Sequence, residues 1–284
     1  MRFPPALPSR AALILVAAAA PLLTACGGVA GPRDTAASPS SPSSASVPPL
    51  AHAGLDYQLG GAYTPPKGVG VVVRDHTASP APGAYNVCYV NAFQAQPGAE
   101  DEWDPDLLLR DGAGDVVVDK DWDEAVLDIG TAGKRERVAR RVNAWIDSCA
   151  DKGFDAVEPD NYDTYTRVPD GLLSAADAEA FASLLAAHAH ARGLAIGQKN
   201  TAELAKDRER VGFDFAVVEE CGQYEECGTY TRAFGDRVLV IEYTAQGMRR
   251  ACDGWGDELA VLRRDLDLVT PDDEGYTRAT CADL

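Results

Sequence analysis

GFDAVEPDNYDTYTR, Gly153 to Arg167, places four carboxylates (Asp155, Glu158, Asp160 and Asp163) around a short apolar run. Acids at the end of an apolar strand lose hydration, so their position there calls for a use. The flanking segments are helical. Upstream, Val138, Val142, Trp145, Ile146 and Cys149 recur at helical spacing within Arg135–Lys152. Downstream, Ser174 caps a second helix with Asp177 three residues on, Phe181, Leu184, Leu185 and His188 supply its apolar stripe, and Gly193 stops it.

The same alternation extends outward. Candidate strands are Val69–Val73, Asn86–Asn91, Ala125–Ile129, Asp155–Asp160, Leu194–Lys199, Phe213–Glu220, Val238–Tyr243 and Leu266–Val269. Several are rich in Val and Ile, as buried parallel strands are. A short helix follows Thr201, and Asp257–Arg264 reads as another. Strands alternating with helices in a domain of this size predict an α/β fold, a (β/α)8 TIM-type barrel. The rival, a doubly wound sheet, lacks a Gly-rich phosphate loop after the first strand. The connection RDHTASPAPGAY, Arg74–Tyr85, is too short and Pro-rich for a full helix, so the barrel is expected to be irregular after its first strand.

On that reading the acids converge. Asp128 ends the third strand, Glu158 and Asp160 the fourth, Lys199 the fifth, Glu219 and Glu220 the sixth, and Glu242 the seventh. In such barrels the C-terminal strand ends surround the active site. Alternation puts Ala156, Glu158 and Asp160 on one face and Ala195, Gly197 and Lys199 on another, with small residues inward. The matching inward set on the sixth strand is Ala216, Val218 and Glu220, which favours Glu220 over Glu219. Convergent carboxylates suit glycoside hydrolysis, one acting as nucleophile or base and the other as acid. A ring of acids holding a divalent cation and a Schiff-base aldolase using Lys199 are the competing chemistries.

The ends carry different information. Arg2 and Arg10 make a positive segment ahead of the apolar stretch Ala11–Ala20, and together they read as an export signal. It closes on Leu23-Thr24-Ala25-Cys26, similar to a bacterial lipobox, so lipidation of Cys26 is expected. Residues 27–50, rich in Gly, Ala, Ser and Pro, form a tether, and 51–284 form the catalytic domain. That arrangement implies an extracytoplasmic protein, lipid-anchored to the bacterial cell membrane. Cys88, Cys149, Cys221, Cys227, Cys252 and Cys281 make an even set for up to three disulfides. Cys221 and Cys227 are close enough in sequence to close a small loop and Cys252 with Cys281 could tie down the C-terminal end, but spacing alone leaves the connectivity open. No C-x-x-C pair or His cluster suggests zinc, and His188 and His190, two apart on a helix, cannot share a ligand face. A formal charge of −18 repels nucleic acid and favours a cationic partner.

GFDAVEPDN, GQKN, VVEEC with a following Y-x-E-C, and IEYT, together with LDYQLGGAYTPP (Leu55–Pro66) and LDIG (Leu127–Gly130), resemble glycoside hydrolase family 114, the endo-α-1,4-polygalactosaminidases. The resemblance runs in order from about residue 55 to near 280. It implies a (β/α)8 barrel cleaving internal α-1,4 links of a galactosamine-containing, partly cationic polysaccharide; separately, the chain is expected to need no metal or cofactor and to be a monomer. Its paired acids map to Asp160 and one of Glu219 and Glu220. By similarity to retaining α-glycosidase barrels, Asp160 is the nucleophile and Glu220 the acid/base. Asp128, Glu158 and Glu242 are expected to bind sugar hydroxyls or the ammonium, and Lys199 to orient a carboxylate. Tyr162, Tyr165, Tyr224 and Tyr243 are candidates to stack on sugar rings, while Gln58 and Gly60-Gly61 shape the cleft floor. The segment VNAFQAQPGAEDEW departs from the family pattern and alters the cleft wall.

Overall fold

The computed structural model describes residues 46–49 and 51–284; the expected signal, Cys26 and most of the tether lie outside them. Twelve strands follow in chain order: β1 (Gly54–Gln58), β2 (Val69–Asp75), β3 (Tyr85–Asn91), β4 (Gln94–Ala95), β5 (Val118–Asp119), β6 (Glu124–Val126), β7 (Ala156–Asp160), β8 (Ala195–Lys199), β9 (Phe215–Glu219), β10 (Val238–Glu242), β11 (Ala260–Arg264) and β12 (Arg278–Thr280). The helices are α1 (Ala132–Lys152), α2 (Ala175–Ala191), α3 (Arg208–Val211), α4 (Cys227–Phe234) and α5 (Ala245–Trp255). Nine strands form one sheet in the order β1-β2-β3-β7-β8-β9-β10-β11-β12, parallel throughout except for the β11–β12 pair. The sheet curls until β11 packs beside β1. This is the α/β barrel, with no helix in the β1–β2 or β2–β3 connection.

Two apolar layers hold it. Leu55, Tyr57, Val71, Val73, Phe215, Val217 and Ile241 are among the side chains that fill the interior, while outward strand residues meet the helices. Helix α1 presents Val138, Val142, Ile146 and Cys149 to the sheet, starts at Thr131, whose side chain accepts from Lys134 N, and ends at Gly153 with φ 89°. Helix α2 begins with the Ser174–Asp177 capping box.

Four sequence expectations are corrected. Gly54–Gln58 is a barrel stave: Leu55 and Tyr57 point inward, and the outward Asp56 and Gln58 are buried because Arg74 and Arg278 bond to them. Ala125–Ile129 contributes β6 to a separate antiparallel sheet, β4-β6-β5, rather than a stave. Asp257–Arg264 supplies strand β11 instead of a helix, since Ala260 and Leu262 face the interior. Leu266–Val269 is a turn anchored by Asp265, whose Oδ1 accepts from Val269 N at 2.8 Å.

The β1–β11 junction has no backbone ladder among the described residues; β1 and β12 are the sheet edges. Arginines close it. Arg264, 0% exposed, donates from Nη1 to the Tyr57 carbonyl and from Nη2 to that of Val269 at 2.7 Å. Arg278 donates to Leu55 O at 3.0 Å and pairs with Asp56. Among the described residues three disulfides form: Cys88–Cys149 joins β3 to α1, Cys221–Cys227 closes the loop after β9, and Cys252–Cys281 ties α5 to the C-terminal turn.

Candidate active site

The C-terminal ends of β7, β8 and β9 deliver Asp160, Lys199 and Glu219 to one point. Each is followed by a residue in the left-handed region: Asn161 at φ 68°, Asn200 at 47° and Glu220 at 60°. Asparagine tolerates that conformation; glutamate does so at a cost, so the geometry is held by its surroundings. Each turn swings the chain sharply out of the barrel, leaving the preceding side chain at the floor of the mouth.

Lys199 is the hub. Its Nζ lies 3.1 Å from Glu158 Oε1, 3.1 Å from Asp160 Oδ1 and 3.2 Å from Glu219 Oε2. Three tyrosines complete the shell: Tyr57 donates to Glu158 at 2.7 Å, Tyr89 to Asp160 Oδ2 at 2.6 Å, and Tyr243 to Glu219 Oε1. Asn161 N donates to Asp160 Oδ1 at 2.7 Å, and Asn200 Nδ2 to Glu219 Oε2 at 3.2 Å. Glu158 is wholly buried, whereas the Asp160 and Glu219 side chains keep 19% and 24% of their exposure. Asp160 and Glu219 can therefore meet a substrate and Glu158 cannot.

The protonation states diverge accordingly. Burial raises Asp160, but Lys199 and the bonds from Tyr89 and Asn161 N outweigh it, and the carboxyl sits below its ordinary value. Burial pushes Glu158 up to about 7 against the pull of Lys199. For Lys199, burial is overcome by Asp160, Glu219, Tyr57 and Glu158, which hold the ammonium charged. An ionised carboxylate at Asp160 is the state a nucleophile requires.

Around this floor opens a cleft of about 670 Å³. Its walls carry Glu124, Asp163, Glu203, Glu220 and Glu226, against the cations Lys199 and Arg167. Burial raises Glu124 to about 7, with lesser contributions from Asp160 and Asp119. Tyr243, Tyr224 and Gly60 also line it. A Cβ at Gly60 would lie 2.4 Å from the Leu268 carbonyl, so the turn after β11 packs on bare backbone there.

Not every sequence candidate arrives. On β9 the inward set is Phe215, Val217 and Glu219, the reverse of the expected face, because Gly197 on β8 leaves the space that the Phe215 ring occupies. Glu220 stands on the cleft wall, away from the Lys199 cluster, and burial raises its carboxyl, with Glu219 adding. Asp128 belongs to the segment after β6, where it binds Lys134 at 2.5 Å and Gly130 N at 3.0 Å, off the cleft. Glu242 lies on the outward face of β10 and accepts from Gly222 N at 2.6 Å. Tyr162 is core, against Phe93 and Phe213. Tyr165 bonds Glu203 at 2.6 Å instead of lining the cleft. Tyr57 and Tyr89 were missed because a tyrosine inside a strand reads as packing; only the acids opposite reveal their use.

The chain matches the model of Glycoside-hydrolase family GH114 over residues 35–283. No curated protein matches. Among solved structures it resembles Ega3 of Aspergillus fumigatus in complex with galactosamine, at 25% identity and TM-score 0.66, over 80% of this chain and 96% of that one. It also resembles the glycoside hydrolase domain of PelA from Pseudomonas aeruginosa, at 14% identity and TM-score 0.51, over 77% and 96%. With two partly exposed carboxylates facing one ammonium at the mouth of an α/β barrel, the chain belongs to glycoside-hydrolase family GH114 and is a glycosidase.

Proposed function

We propose that this glycosidase cuts internal α-1,4 links of a galactosamine-containing polysaccharide with retention of configuration. Asp160 attacks the anomeric carbon while Glu219 gives its proton to the leaving oxygen. Water then enters, Glu219 removes its proton, and the ester to Asp160 breaks. The observation that carries this reading is the shared Lys199: two oxygens bonded to one nitrogen at 3.1 and 3.2 Å lie closer together than the ~6.5 Å at which inverting pairs begin. The role first assigned to Glu220 passes to Glu219.

A cleft dominated by carboxylates favours a polymer with free 2-amino groups over a neutral one. The bound galactosamine of Ega3 agrees with that choice. The lipobox-like Cys26 supports work outside the cytoplasm from a membrane anchor. Incubating the purified protein with partly deacetylated galactosaminogalactan is expected to release reducing ends, and Asp160→Asn to abolish them. Binding without products would instead make the protein a surface carbohydrate-binding lipoprotein, and loss of activity with chelator a metal-dependent hydrolase. Incorporation of labelled fatty acid, lost in Cys26→Ala, tests the anchor.

A further inference from the structure

The indole of Trp122 is 54% exposed, in contrast to Trp103, which is 5% exposed and packs edge-on against Trp145. It stands at the tip of the β5–β6 hairpin and lines the same cleft as Asp160. Leaving an indole in water is unfavourable, and a turn has no need of one.

The root of this hairpin is built as a fixed mount. Asp119 and Glu124, the residues facing each other across β5 and β6, are 3% and 7% exposed. Asp119 accepts from Gln94 Nε2 at 3.0 Å and pairs with Arg167 Nε at 2.7 Å. Glu124 accepts from Asn161 Nδ2 at 3.3 Å, and Arg167 donates to Asn161 Oδ1 at 2.7 Å. Asn161 in turn holds Asp160 through its backbone amide. Two buried acids thus fasten the hairpin to the residue directly after the proposed nucleophile. Burying carboxylates is costly, and an exposed tip would tolerate a looser root. The mount fixes the distance between the ring and the reacting centre.

We propose that Trp122 is the stacking platform of a sugar subsite remote from the scissile bond, taking one amino-sugar unit of the polymer. This rests on the polysaccharide reading above. A galacto-configured ring has an axial hydroxyl on one face and a C–H patch on the other, and that patch lies flat on an indole. A 2-ammonium beside it is drawn to the ring and to the exposed Asp121 and Asp123 on either side.

The test uses the full chain and its Trp122→Ala and Trp122→Phe variants. With partly deacetylated galactosaminogalactan, Trp122→Ala is expected to raise KM about tenfold and leave kcat within about twofold, while Trp122→Phe retains most of the affinity. Thermal melts of an exposed-tip variant should match the parent. In the Asp160→Asn background the polymer should quench tryptophan emission, and the quench should vanish when Trp122→Phe is added. If the parent hydrolyses the polymer and Trp122→Ala does so with the same KM, the subsite is refuted and the enzyme reading stands. Quenching through Trp122 without turnover in the parent keeps the subsite and refutes the enzyme reading. Neither quenching nor turnover refutes both.

Discussion

Replacing Glu158 by Gln isolates the cost of a buried acid in this site. In the native protein its carboxyl moves from 4.5 to about 7, chiefly through burial, with the Asp160 charge adding and Lys199 and Tyr57 opposing. The folded state therefore holds a proton that the unfolded state releases between those values, and native stability falls as pH rises through that window. A shift of this size corresponds to about 3 kcal/mol, fully developed above neutrality. Glutamine copies the protonated acid and its acceptor toward Tyr57 and Lys199 but cannot ionise. Urea unfolding of both proteins at pH 4.5 and pH 8 should show the variant gaining about 3 kcal/mol relative to the parent between the two conditions. Penalties that do not depend on pH, such as an unsatisfied amide hydrogen, cancel in that comparison. Parallel stability profiles would refute the claim that Glu158 titrates inside the barrel.

The remaining expectations concern catalysis, covalent ties and charge. Glu219→Gln should lower kcat by about 10³ or more, whereas Glu220→Gln should lower it by less than about tenfold; the opposite ranking in reducing-end assays would restore Glu220 as the acid/base. Cys88→Ser with Cys149→Ser opens a link spanning 61 residues and should lower unfolding free energy by about 4 kcal/mol in urea titrations. Added salt should raise KM for a partly deacetylated polymer several-fold between about 0.02 and 0.3 M, leaving a fully acetylated one little changed, as initial rates will show.

Much of this architecture can be read from the chain. Asp160, Lys199 and the Glu219–Glu220 pair sit at ends of strands whose Val- and Ile-rich character is plain, and Ser174 and Gly193 bound α2 as their chemistry dictates. What misleads is polarity hidden by partners. Asp56 and Gln58 look solvent-facing, and Arg263-Arg264 makes β11 look like a charged helix end; long-range guanidinium bonds, invisible in one dimension, bury Asp56, Gln58 and Arg264. Choosing between Glu219 and Glu220 failed for a related reason. The rule that small residues face inward holds on β7 and β8, but the space left by Gly197 is spent on Phe215 of the neighbouring strand.

Tyr57 belongs to two systems at once. Its carbonyl is clasped by Arg264 at the one junction where staves meet without main-chain pairing among the described residues, and its hydroxyl steadies the acid beneath the lysine. Wall closure and catalytic alignment are therefore a single mechanical event: a substitution at residue 264, which does not itself line the cleft, would unlatch the cylinder and slacken the lysine's grip on both reacting acids together. A loss of turnover there would report on architecture, though it would look like a defect in chemistry.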